Sequence, residues 1–377
     1  MIAAREPIQR PPCAKLLVVD ACGRIEHALR RQLVDYLRPG DLVIANDAAT
    51  LPASLHGVHV PSGQAIEVRL AGRRALATDD VGHFIAIVFG TGDFRTPTEE
   101  RPAPPALVRG DRLALGPLAA TLEQLLDHPR LAALSFDGSA ESIWAGLARH
   151  GRPIQYSHIP APLSLWDVWT PIAGPPVAFE PPSAGFALDW RMLMAMHARG
   201  VALATITHAA GISSTGDAAL DRRLPFDEPY RVPEATARAI RRARLRGGRV
   251  IAVGTTVVRA LEHAGTQSGR VAAGESVATQ RIDATSRLRV VDAILSGTHE
   301  PGTSHYELLR AFMDAATLDR LIAELEARRY RTHEFGDSVL IDRSCSNQYD
   351  RTSRGWPSSP KCVITSTVPE AFASTAR

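Results

Sequence analysis

Residues 248–262 read Gly-Arg-Val-Ile-Ala-Val-Gly-Thr-Thr-Val-Val-Arg-Ala-Leu-Glu. An apolar, partly β-branched run ends in glycine, two threonines follow, and a helical spacing begins. The physical reading is a buried strand, a tight turn and a helix start, which commits this part of the chain to an α/β architecture. Glycine permits the turn at Gly254. Thr255 or Thr256 can cap the helix. The backbone N–H groups left free at such a start can hold a carboxylate or a phosphate. Arg259, near the first turn, can add a forked donor. The same unit serves purely as packing in many α/β proteins, and it is not the Gly-x-Gly-x-x-Gly fingerprint of dinucleotide sites.

The run resembles the RVIAVGTTSVRTLE-like signature of the S-adenosylmethionine:tRNA ribosyltransferase-isomerases of queuosine synthesis. Further segments match in the family's order. Residues 37–47, LRPGDLVIAND, resemble LRPGDLLVLND. Pro182-Ser183-Ala184-Gly185 resembles PTAG, and residues 288–293, LRVVDA, resemble FRVVDA. Tyr330-Arg331 with residues 335–341, FGDSVLI, resembles YRFFSYGDAMLI. The resemblance runs from about residue 16 to 341 and is weakest in the middle. Five ordered segments are far more specific than any one of them.

Composition supports a folded, mixed-charge chain. The 377 residues suffice for two domains, hydrophobic residues make up 45%, and the net charge is +3. That charge excludes a generic nucleic-acid coat. Lys15 and Lys361 are the only lysines among the basic residues, which fits codon bias in a GC-rich genome. No apolar run reaches membrane-spanning length, and residues 1–13 lack an apolar signal core. Cys13, Cys22, Cys345 and Cys362 form neither a metal pattern nor a disulfide framework. The expectation is a cytoplasmic protein, a monomer, with no membrane partner and no metal.

Along the chain, residues 16–20 read as a strand, 26–37 as a helix with Leu29, Leu33 and Leu37 on one face, and 42–45 as a short buried strand. Residues 57–151 have another texture. Short strand-like runs at 66–70, 83–89 and 112–115 alternate with turn residues, as in a small antiparallel β-barrel. Residues 187–200 read as a helix, 201–207 as a strand, 234–246 and 318–329 as helices. Residues 160–182, rich in proline and tryptophan, read as an ordered loop. The expected fold is therefore α/β, with a discontinuous main domain (1–56 and 152–343) interrupted by an inserted barrel (57–151). A tail over 344–377 reads as disordered. The family resemblance implies the same plan, with a barrel-like main domain.

The resemblance implies an unusual reaction. The ribosyl part of S-adenosylmethionine is transferred to the 7-aminomethyl-7-deazaguanine base of tRNA, giving epoxyqueuosine while adenine and methionine leave. S-adenosylmethionine is thus a co-substrate, with no separate cofactor, and the tRNA anticodon loop is the partner. Such a site binds a sulfonium, anchors a methionine carboxylate and moves protons. Asn46 and Asp47 end a strand, where α/β sheets place ligand groups; Asn and Asp also serve as turn formers there. His208 matches the histidine of LHVGLGTF, His299 that of NFHLPKST, and Glu228 the glutamate of HSEWYEVP. These readings place Asp47, His208, Glu228 and His299 as catalytic candidates. Asn46, Gly185, Gly254, Thr255, Thr256 and Arg259 are the substrate-binding ones. Each has a bland alternative as a structural histidine, an exposed charge or a turn residue. Asp337 reads equally as a turn former. Arg238, Arg241, Arg242, Arg244 and Arg246 crowd one helix, either as a solvated face or as phosphate contacts.

The chain also departs from the family pattern. Ala49 and Ser54 stand where NDTRVIPARL has arginines. Ala187 stands for the histidine of PTAGLHF, and Phe226 for the histidine before the matched glutamate. Thr298 and Gly302 replace the phenylalanine and lysine of NFHLPKST. Two further readings follow: a paralogue with a non-tRNA acceptor, or a non-catalytic binding module on the same scaffold.

Overall fold

The computed structural model describes residues 1–266 and 268–344; the expected tail, apart from its first residue, lies outside the described residues. The main domain is built on a nine-stranded mixed sheet. Its order is Gly274–Ala278, Glu228–Val232, Ala202–His208, Leu42–Asn46, Val250–Val253, Ala293–Gly297, Ser338–Asp342, Lys15–Val19 and Ile25–Leu29. The four strands from Ala202–His208 to Ala293–Gly297 are mutually parallel. Their carboxyl ends therefore share one edge, the place where α/β sheets collect ligand-binding loops. Among the described residues the sheet ends on two edge strands, and closure by hydrogen bonds belongs to the inserted barrel.

Alternation along each strand explains why the sheet is covered on both faces. Leu17, Val19, Leu42, Ile44, Val250 and Ala252 join one core cluster, under the helices Glu234–Leu245, Thr255–Ala264 and Ala315–Ala327. Leu16, Val18, Val43, Ala45, Ile251 and Val253 join the opposite one, with Leu33, Met192 and Met196.

The barrel closes antiparallel in the order Leu118–Leu125, Leu131–Phe136, His83–Phe89, Gln64–Gly72, Ser54–His59, Arg112–Leu115 and back to the first. Its core runs on into the main domain through Phe179, Ile212, Leu220 and Leu224. Sequence texture picks out three of the six strands and misses those at Ser54–His59, Leu118–Leu125 and Leu131–Phe136.

Two local expectations are corrected. Residues 26–37 are not one helix. Ile25–Leu29 is an edge strand paired antiparallel with Lys15–Val19, followed by a 3-10 helix, Arg30–Tyr36. The tight turn at Gly23 (φ +76°) sets up the hairpin, and the ladder overrides the helical spacing. The helix expected over 187–200 is shorter: Asp189 caps Trp190–Ala198 by accepting from the Met192 N–H at 2.6 Å, and a 3-10 turn, Ser183–Ala187, precedes it.

Candidate active site

A cleft of about 870 Å³ opens at the carboxyl edge of the parallel strands. Gly254, Thr255, Thr256, Glu228, Arg259 and His299 line it. Asn46, Asp47, His208 and Gly185 do not, so the structure brings together six of the ten expected residues there.

The strand Val250–Val253 delivers the chain to Gly254, which holds φ +94° and ψ 156°. An L-residue rarely adopts this conformation, so the glycine is required by backbone geometry. Gly254 is itself the N-cap of helix Thr255–Ala264, and no side chain caps the helix start. The expectation that a threonine caps it is thus corrected: Thr255 and Thr256 are the first two helical residues, half-buried on the cleft wall. The first-turn N–H groups, without a side-chain acceptor, can take an anion.

One turn further along, Arg259 is 3% exposed. Its Nε donates to Gln280 O at 2.9 Å, its Nη2 to Phe226 O and Ala278 O, both at 2.8 Å, and its Nη1 to Glu228 Oε2. Four of its five N–H donors are engaged inside the protein, so it orients Glu228 and has only one N–H of Nη1 left, not the forked pair the sequence reading allowed for a ligand carboxylate. Glu228 Oε1 accepts from Gly211 N–H at 2.6 Å. Burial raises its pKa, and Arg259, the Gly211 N–H and His305 work against that rise.

His208 is sealed beneath this pair. It is fully buried, its Nε2 lies 3.3 Å from Glu228 Oε2, and neither ring nitrogen has a hydrogen-bond partner. The 3.3 Å approach lacks hydrogen-bond alignment. Burial, reinforced by the Arg259 charge, pushes its pKa down to about 3. The sequence reading allowed direct substrate contact by His208; the structure instead buries it completely against Glu228, outside the cleft lining. Asn46 likewise lies outside the cleft lining and is tied to backbone. Its Oδ1 accepts from His208 N at 2.9 Å and Ala48 N at 3.1 Å, and its Nδ2 donates to His208 O at 2.9 Å. It stitches two parallel strands where their ladder ends. Asp47 accepts from Thr207 Oγ1 at 2.7 Å. Gly185 packs where a Cβ would come 3.0 Å from Thr170 Cγ2, while its neighbours Pro182, Ser183 and Ala184 line the cleft.

His299 hydrogen-bonds Ser296 Oγ at 2.8 Å through Nε2 and stacks on His305, centroids 4.9 Å apart. Burial, then the charges of His305 and His333, hold it well below the usual imidazole range. It is a neutral hydrogen-bonding group near neutral pH and a weak base.

Sequence reasoning missed the opposite wall. Tyr156 donates to Glu180 Oε1, which also accepts from Ser213 N–H at 3.0 Å. His158 Nε2 meets Glu334 Oε2 at 2.9 Å, and its ring stacks on His333 at 4.1 Å. A signal was present. Glu180 lies just before the Pro182–Gly185 match, Glu334 lies between the Tyr330-Arg331 and Phe335 matches, and His305 follows the His299 segment.

The departures from the family pattern fall mainly elsewhere. Ala49 and Ala187 are buried packing residues. Ser54 donates to Glu67 Oε1 at 2.7 Å inside the barrel, beside Arg69 and Arg101. Phe226 contributes its carbonyl to Arg259. None of these four lines the cleft; Thr298 and Gly302 do.

A solved S-adenosylmethionine tRNA ribosyltransferase from Thermotoga maritima aligns with a TM-score of 0.48 and 24% identity, covering 90% of this chain and 96% of that one. An S-adenosylmethionine:tRNA ribosyltransferase-isomerase of Citrifermentans bemidjiense is 32% identical, over 90% of this chain and 96% of its own. One of Sorangium cellulosum is 33% identical, over 90% and 95%. The family described as queuosine biosynthesis protein matches residues 1–341, essentially every described residue, and the chain belongs to that family.

Proposed function

We propose that the chain transfers and isomerises the ribosyl group of S-adenosylmethionine onto the 7-aminomethyl-7-deazaguanine base of tRNA, releasing adenine and methionine. The observation that carries this reading is the uncapped helix start at Gly254–Thr256 facing the same cleft as the Glu228–Arg259 pair. The helix N–H groups suit the methionine carboxylate. Glu228 supplies negative charge for the sulfonium, and Arg259 fixes its direction. His299 and Ser296 offer neutral hydrogen bonds to sugar hydroxyls. S-adenosylmethionine is a co-substrate in this reading, and no other cofactor is invoked. The tRNA anticodon loop is the acceptor, and the working form is a cytoplasmic monomer.

A different acceptor was suggested by the missing family arginines and histidines. That suggestion weakens because Ala49, Ser54, Ala187 and Phe226 do not line the cleft. The test is incubation of purified protein with S-adenosylmethionine and precursor-bearing tRNA, following adenine by chromatography and the tRNA base by mass. Adenine release that depends on that tRNA, with the matching gain in base mass, supports the reading. Folded protein that releases none, beside an active relative, rejects it.

A further inference from the structure

The cleft holds two carboxyl groups anchored on one short loop, and their surroundings differ in one decisive respect. Gly211 N–H binds Glu228 Oε1 at 2.6 Å, and Ser213 N–H, two residues on, binds Glu180 Oε1 at 3.0 Å. Glu228 has a guanidinium against it. Glu180 has none. Its hydrogen-bond partners are the Tyr156 hydroxyl and the Ser213 N–H, both on Oε1, and the Ser213 hydroxyl adds a further pull toward the carboxylate; none of these is a cation.

The other groups facing Glu180 do not neutralise it. Glu334, from the loop before the strand Ser338–Asp342, adds negative charge; His158 and His333 stack beside it, and His158 binds Glu334. Arg69 packs over the Phe89 and Tyr156 rings, 4.9 and 5.5 Å from their centroids, and is bound to Glu67. Phe179, fully buried, and the Pro181-Pro182 pair fix the backbone on either side.

We propose that Glu180 is the proton donor of the cleft, passing its proton from Oε2 to the adenine nitrogen on which the leaving group departs. This rests on the ribosyl-transfer reading above. When the bond between the sugar carbon and adenine breaks, its electron pair stays on nitrogen. The ribose ring oxygen lends a lone pair to the sugar carbon, as in other glycosidic cleavages, and the cation so formed is discharged by loss of the sugar proton beside the sulfonium in the isomerisation. The nitrogen takes the proton, Glu180 is left as a carboxylate, and solvent in the open cleft reprotonates it. No electrons are gained or lost overall. The environment supports a proton held at neutral pH. Burial pushes the Glu180 carboxyl up to about 7; the Tyr156 and Ser213 hydrogen bonds oppose the rise, and Glu334 adds to it. Two carboxyls of one cleft in contrasting environments are the usual arrangement for dividing acid and anion roles. Tyr156 acts as a positioning residue, since its hydroxyl holds Oε1 of a carboxyl that lines the cleft.

The test is single-turnover adenine release, with precursor tRNA, across about pH 5 to 9, the range that brackets this ionisation. It is run on wild type, Glu180→Gln and Tyr156→Phe, with thermal melts to verify folding. Carboxyl-selective infrared difference titration of the free proteins runs alongside. Wild type should lose rate as pH rises through about 7, and its infrared titration should show a carboxyl ionising there. Glu180→Gln should lose that carboxyl signal and release adenine at least ~100-fold more slowly, without the alkaline loss. Its KM for S-adenosylmethionine should hold. Tyr156→Phe removes a hydrogen bond that favours the carboxylate, so its alkaline limb should move to higher pH. Glu180→Gln with wild-type rate, or with the alkaline limb intact, overturns the proposal. A wild-type carboxyl spectrum without a near-neutral ionisation overturns it too. Wild type that releases no adenine rejects the parent reading instead, so the two failures are distinguishable.

Discussion

Arg259 shows how a residue legible in the sequence takes on a different task in the fold. Its four hydrogen bonds all go to protein atoms, so it holds Glu228 in place and keeps no forked pair for a ligand. Arg259→Met should leave a buried carboxylate without its partner and cost about 3–5 kcal/mol. Urea denaturation at neutral pH should record that loss, and restoration by Arg259→Lys should be only partial, because an ammonium cannot span the same acceptors. His208 makes a second residue-scale prediction. Its folded pKa, about 3, lies below the unfolded value of 6.5. The unfolded chain therefore binds the proton first, and the contribution of this group is fully present above about pH 6.5 and falls as pH drops toward 3. The loss should be on the order of a few kcal/mol. Replacing His208 by Phe should flatten that part of the stability–pH curve; an unchanged acid limb would assign it to other groups.

At the scale of elements, the strand–glycine–helix unit is both the strongest local signal and the piece that aims the site. Gly254→Ala places an L-residue at φ +94°. The nearest atom to its new Cβ is Ala184 Cβ at 3.5 Å, so the penalty is conformational, not steric, at about 1–3 kcal/mol. Adenine release should suffer beyond that stability loss because the helix start moves; denaturation and turnover measured on the same variant separate the two effects. The arginine-rich helix Glu234–Leu245 behaves differently. Its carboxyl end leads through Gly247-Gly248 into the strand Val250–Val253, so Arg241, Arg242 and Arg246 lie at the edge opposite Gly254. That strand alone spans roughly 13 Å. Replacing these three arginines with alanine should leave the salt slope of tRNA binding unchanged, whereas each true phosphate contact would contribute about one unit.

At the scale of the whole molecule, the barrel and the main domain share packing. Phe179, between the main-domain strand Pro176–Ala178 and Glu180, meets Phe84 of the barrel edge-to-face at 6.1 Å. Ile212, Leu220 and Leu224 enter the same cluster. Phe179→Ala should cost about 3–5 kcal/mol. Hydrogen exchange should quicken both in the barrel strand His83–Phe89 and in the loop around residues 209–214. Protection lost in the barrel alone would mean that the two units are energetically separate. This shared cluster also sets one wall of the cleft, since Phe179 and Ile212 flank Glu180 and Ser213 in sequence. Among the described residues no helix is long and apolar enough to cross a membrane.

Local periodicity and composition were enough to determine the α/β class, the strands read at 42–45 and 201–207 and in the run ending at Gly254, the change to barrel texture, and the glycine turn at 254. Each depends on residues adjacent in sequence: an apolar run for a buried strand, a missing Cβ for a left-handed turn. Ordered family segments likewise marked Glu228, Arg259 and His299 before any contact was known. Only the tertiary structure decided what those side chains do. Arg259 turned inward because Phe226, Ala278 and Gln280 carbonyls, distant in sequence, converge on it. Asn46 became a stitch because the end of the strand Ala202–His208 lies beside it. Ile25–Leu29 left the helix its spacing suggested because Lys15–Val19 offered a ladder. Tyr156, Glu180 and Glu334 gather from three separated segments at one wall of the cleft. Proton affinity and charge depend on that assembled surround of burial and neighbouring groups, which no window of contiguous residues contains.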